Sequence, residues 1–177
     1  APKHTPAPPA PRTAEGAREP WQMTREEFES IPPEGFRYDP TLPGEGRHTG
    51  EGDIAVGDKF FDLEEGGKRH VIQHEIGHGL SDEMLADGSA FALADDLAFG
   101  PKRPDGTIDG INGHDTPGEN VAEAYALLQT EPGWLKANYP KAYDAIAMRS
   151  ISDGKPVPAE VLAEYPDLAA QAPRTAE

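Results

Sequence analysis

The chain has 177 residues, 36% of them hydrophobic, with 19 Pro, 19 Gly and no Cys, which suits one compact domain with tails. The missing cysteines exclude a disulfide framework and any Cys-based zinc site. A formal net charge of −16 opposes binding to nucleic acid over most of the surface, and no apolar run approaches the roughly 20 residues that a membrane helix needs.

Residues 1–20 are Pro-rich and predict a disordered linker. The hexapeptide Ala10–Glu15 returns letter for letter as Ala172–Glu177. Nothing between the copies recurs at a fixed period, so the pair predicts similar linkers around a domain of a larger protein. A narrower expectation is that these are linkers the chain itself cuts. No signal-peptide pattern is visible; a soluble protein of undecided location is expected.

Thr24-Arg25-Glu26-Glu27 is a capping box that predicts a short helix to Ser30, stopped by Pro32-Pro33. A Gly/Pro-rich stretch follows to Gly52. Ile54–Val56 and Lys59–Leu63 predict two short strands joined at Gly57-Asp58. Glu64-Glu65-Gly66-Gly67 breaks the pattern, and Val71, Ile72, Ile76 and Leu80 then give helical spacing over Lys68–Leu80. A second helix is predicted over Glu83–Phe99. Gly100 to Gly118 is dense in turn pairs and predicts a loop. A third helix is predicted over Glu119–Thr130, with shorter ones near Gly133–Asn138, Pro140–Arg149 and Pro158–Glu164. Short strands followed by helices predict an α+β fold. The expected organisation is a linker over 1–20, the functional domain over 21–150, and a short helix and linker over 151–177.

The chemistry lies in His74-Glu75-Ile76-Gly77-His78. On a helix, two histidines four apart project from one face and can grip one Zn²⁺. Glu75 lies about 100° further around, where it reaches the open fourth position as a general base toward water. The flanks are small or apolar, so this helix reads as buried, and buried His and Glu need partners. Gly77 inside a helix predicts close packing by another element. His70 extends the stripe but stands about 12 Å from His78 along the axis, so it reads as a polar residue of the first turns.

A catalytic zinc wants a third protein ligand. Ser81 and Met84 stand where HExxHxxGxxH would have Gly and His, which excludes that pattern, and no Cys is present for a Cys ligand. Two candidates remain. Glu119 and Glu123 share a helix face; one carboxylate can bind the metal while the other accepts a hydrogen bond from a ligand histidine. The alternative ligand is Asp109, in Gly106-Thr107-Ile108-Asp109-Gly110-Ile111-Asn112-Gly113, which is similar to the GTxDxxYG motif of aspartate-zincins but carries Asn112 in place of the Tyr.

Glu119-Asn120-Val121-Ala122-Glu123-Ala124-Tyr125 resembles the E-x-x-A-E-[AS]-[FY] helix of the anthrax lethal-factor type of metallopeptidase, one of the glutamate-zincins. Trp134 through Tyr143 is also similar to that family, and the resemblance spans roughly Lys59 to Ile146. It implies a minimal zincin-like fold, with a short sheet, an HExxH helix and a second ligand-bearing helix. It implies zinc on His74, His78 and Glu119, with Glu123 supporting a histidine and Glu75 as general base. It also implies hydrolysis of peptide bonds in a protein or peptide substrate. The family's Tyr before the third ligand is replaced here by Asn112; His114, in the same loop, is the expected substitute for supporting the reacting oxygen. The alternative expectation is a zinc-binding but inactive interaction module within a larger multidomain protein of phage or toxin type. Oligomeric state is not legible.

Overall fold

The computed structural model describes residues 18–50, 53–99 and 116–171. The architecture is α+β: nine α-helices and one three-stranded sheet among the described residues. The chain divides into two compact units, Ala1–Ile72 and Gln73–Glu177.

The described part of the first unit has a 3-10 turn, Pro20–Gln22, that begins at the last residue of the expected linker. Helix α1, Arg25–Ser30, has the expected capping box: the Thr24 hydroxyl accepts from the Glu27 amide, and the Glu27 carboxylate accepts from the Thr24 amide. Two strands then lie within the Gly/Pro-rich stretch where none was expected: β1, Phe36–Tyr38, and β2, Gly46–His48. They flank β3, Ile54–Val56, in the order β1-β3-β2, with β1 parallel and β2 antiparallel to it. Strands of three residues, Phe-Arg-Tyr and Gly-Arg-His, are too short for alternation to mark them. Pairing with the fully buried β3 defines them.

The predicted second strand, Lys59–Leu63, is corrected: Asp58–Phe61 is a helical turn, α2. The reason is the adjacent pair Phe60-Phe61. A strand would send the two rings to opposite faces. On a helical turn both meet Phe28, with ring centroids at 6.3 and 5.7 Å, and Phe36 joins the same aromatic cluster at 6.1 Å.

Helix α3, Glu65–Asp87, is longer at both ends than Lys68–Leu80. Gly66 and Gly67 fall in its first turn, where the helix accommodates them. Leu80 is not its end: Glu83–Asp87, expected to open the second helix, complete α3. The break comes at Gly88, whose φ of +83° is the left-handed backbone that glycine adopts most readily. Helix α4 is therefore Ser89–Phe99.

The second unit is helical and centres on α5, Pro117–Thr130, in which Asn120 through Leu128 are all buried. Around it lie α4, α6 (Pro132–Asn138), α7 (Pro140–Ser152), α8 (Ala159–Leu162) and α9 (Pro166–Gln171). Its core joins Leu80 and Met84 of α3 to Leu93, Val121, Tyr125, Leu128, Leu135, Tyr143, Ile146 and Val161. Among the described residues no helix is long and apolar enough to cross a membrane.

Candidate metal centre

Two helices build the site. The second-unit part of α3 carries His74, Glu75 and His78; α5 carries Glu119 and Glu123. Their approach is set by glycine. A Cβ on Gly77 would stand 2.7 Å from the Ala122 carbonyl oxygen and 2.9 Å from the Ala122 Cα, so only a residue without a side chain lets α5 lie this close. Gly118 repeats the device one turn away, where a Cβ would meet Ser81 Oγ at 3.0 Å. Helix α5 starts where it does because Thr116 caps it, its hydroxyl accepting from the Glu119 amide at 3.3 Å, with Pro117 at the first helical position. That start places Glu119 in the first turn and Glu123 one turn further along the same face.

The result is convergence. His74 Nε2 lies 3.1 Å from Glu119 Oε2, and His78 Nε2 lies 3.6 Å from Glu119 Oε1. One ligand atom from each of His74, His78 and Glu119 falls within 4.8 Å of the others. Zn–N and Zn–O bonds of about 2.0–2.1 Å in a tetrahedron put neighbouring ligand atoms about 3.3 Å apart, and the two separations, each to a different Glu119 oxygen, are near that length. Two imidazoles and one carboxylate with a position left over is the donor set of a hydrolytic zinc, whereas Ca²⁺ and Mg²⁺ prefer oxygen throughout. The residues fit zinc.

Glu123 completes the arrangement from behind. It is 4% exposed, as buried as His74 at 5%, and its Oε2 accepts from His74 Nδ1 at 3.1 Å. That bond leaves Nε2 pointed at Glu119 and the metal position. Glu75 Oε2 sits 3.9 Å from His78 Nε2, and Glu75 is 8% exposed. A third carboxylate is thereby kept at the edge of the cluster without belonging to it. The two rings stand edge to face with centroids 4.9 Å apart.

Burial is the strongest single influence on His74 and disfavours its charged form. Hydrogen bonds to Glu119 and Glu123, with the negative charge of Glu123 and Glu75, together outweigh it and raise the pKa to about 9. At neutral pH the metal-free imidazolium donates to both carboxylates. A zinc ion held here would have to displace that proton from Nε2. Its apparent affinity is therefore expected to climb as pH rises from 6 and to level off near 9, which competition with a chromophoric chelator at several pH values measures. Glu123→Ala is expected to weaken zinc binding about 10- to 100-fold without removing a ligand, by the same titration.

The structure thus brings together His74, Glu75, His78, Glu119 and Glu123. Asp109, Asn112 and His114 lie outside the described residues. Sequence reading passes over Thr116 and Gly118, although Thr-Pro-Gly-Glu is a legible helix start: cap, proline, then an acid in the first turn. Comparison with protein-family models, with curated proteins and with solved structures returns no match to this chain.

Proposed function

We propose that this chain is a zinc-dependent endopeptidase of the glutamate-zincin type, with the arrangement of residues that the lethal-factor resemblance implies. One observation carries the reading: His74 and His78 of one helix converge with Glu119 of another, with ligand atoms within 4.8 Å of one another, and Glu75 stands beside them. His74, His78 and Glu119 would hold Zn²⁺ through two nitrogens and a carboxylate oxygen. The ion supplies Lewis acidity, polarising a peptide carbonyl and lowering the pKa of water toward ~7.

Each side chain then has a separate task. Glu123 holds His74 in the tautomer whose Nε2 is free to ligate. The Glu75 carboxylate takes a proton from the attacking water. It hands that proton to the leaving amine, so base and acid are one group used twice. Burial of Glu75 and Glu123 keeps bulk water from competing for their hydrogen bonds.

The test is zinc content on protein purified without added metal, for wild type, Glu119→Ala and Asp109→Ala. The expected result is near one zinc per chain in wild type and in Asp109→Ala, and almost none in Glu119→Ala. Loss only with Asp109→Ala would move the protein to the aspartate type. No zinc in wild type, even after it is added back, would sink the proposal. Zinc without hydrolysis of any peptide would leave an inactive zinc-binding module.

A further inference from the structure

After α7 the chain reverses at Gly154, whose φ of +68° is the left-handed backbone that glycine adopts most readily. Two backbone bonds close the helix end: the Gly154 amide donates to the Ile151 carbonyl at 3.1 Å, and the Lys155 amide to the Ser150 carbonyl at 2.8 Å. That turn sets the direction in which Lys155 and Pro156 leave. Lys155 Nζ donates to Glu83 Oε1 of α3 at 3.2 Å. The Pro156 carbonyl accepts two hydrogen bonds from α5, one from Gln129 Nε2 at 2.7 Å and one from the Tyr125 hydroxyl at 3.3 Å. Two adjacent residues thus hold the two helices on which His74, His78 and Glu119 lie.

Tyr125 connects this bridge to the site. Its Cβ lies 3.1 Å from where a Cβ on Gly77 would stand, and Gly77 sits between His74 and His78. The side chain is 1% exposed, so it is packed along its length from Gly77 to the Pro156 carbonyl. The segment is also fastened at its far end. Val161 is fully buried in the core, Lys136 Nζ donates to Glu164 Oε2, and the Tyr165 hydroxyl donates to Asp144 Oδ1.

We infer that residues 153–165 are a strap that belongs to the metal centre. It clamps α3 to α5, with Lys155 and Tyr125 as positioning residues, and its release lets Glu119 part from His74 and His78. The inference rests on the zinc reading of the site and not on the peptidase chemistry. A strap that sets the ligand spacing and an ion that needs that spacing stabilise each other, and the coupling is equal in both directions.

Competition with a chromophoric chelator compares the zinc affinity of wild type, of the double variant Tyr125→Phe with Lys155→Met, and of Thr24→Ala. The double variant loses one hydroxyl and one ammonium and keeps the ring and the stem. Thr24→Ala removes a helix cap in the first unit and serves as the control for stability lost elsewhere. The double variant is expected to bind zinc about tenfold more weakly, and Thr24→Ala to bind it as wild type does. In wild type, zinc is expected to slow hydrogen exchange of the Lys155 amide at least about tenfold more than that of the Ile54 amide in β3. Undiminished zinc affinity in the double variant, an equal loss in Thr24→Ala, or a Lys155 amide protected no better than Ile54 would each overturn the inference and leave the zinc reading standing. Wild type that binds no zinc, even after it is added back, removes both.

Discussion

Gly77→Ala is expected to destabilise the protein by roughly 3 kcal/mol or more and to strip it of zinc. The new methyl group would sit 2.7 Å from a backbone oxygen and 2.9 Å from a backbone carbon of Ala122, with Tyr125 Cβ at 3.1 Å. Neither backbone atom can swing aside as a side-chain end can. Relief requires α5 to move away from α3, and that movement carries Glu119 from His74 and His78. Gly79 is the internal control. It lies two residues on in the same helix, and a Cβ there meets nothing within 4 Å. Gly79→Ala is expected to leave zinc binding unchanged and to add up to about 1 kcal/mol through helix propensity. Urea unfolding and zinc content on both variants check the pair. Equal stability of the two variants would show that the glycine at 77 is not what lets the helices meet.

Glu75→Gln is expected to keep the fold and the zinc while lowering peptide hydrolysis by about 10²- to 10⁴-fold. Glutamine matches glutamate in size and can accept a hydrogen bond, but it cannot hold a proton transferred from water. Because Glu75 lies beside the cluster and the proposed ligands are His74, His78 and Glu119, its substitution should separate metal binding from turnover. Zinc lost together with activity would make Glu75 a structural partner of His78. Activity kept at the wild-type level would require another base. A fall in kcat with KM little changed is the signature of a group that works in the chemical step.

The two helices of the candidate site were legible because their signals are local. His74, Glu75 and His78 acquire a common face from the 3.6-residue period alone, and Glu119 and Glu123 do the same one turn apart. The capping box at Thr24 is local too, since both of its hydrogen bonds close within three residues. Gly77 could be flagged because a glycine in a buried helix must earn its place by packing. The strands were not legible. Phe36–Tyr38 and Gly46–His48 are three residues each, too short for a pattern to mark them, and partners distant in sequence make them strands. Phe60-Phe61 misled for the same reason: as an apolar pair it suits a strand, and contact with Phe28 turns it into a helix.

What the sequence by itself determined is the α+β composition, the two helices that carry the candidate site and the residue types available to a metal. These depend on periodicity and side-chain chemistry, which are properties of short stretches. Which carboxylate meets the histidines was decided by tertiary structure, because Glu119 lies 45 residues from His74 along the chain. Loop chemistry between them says nothing of register. The depth to which α5 seats on Gly77, and the capped start at Thr116, place Glu119 beside His74 and His78 and Glu123 behind His74.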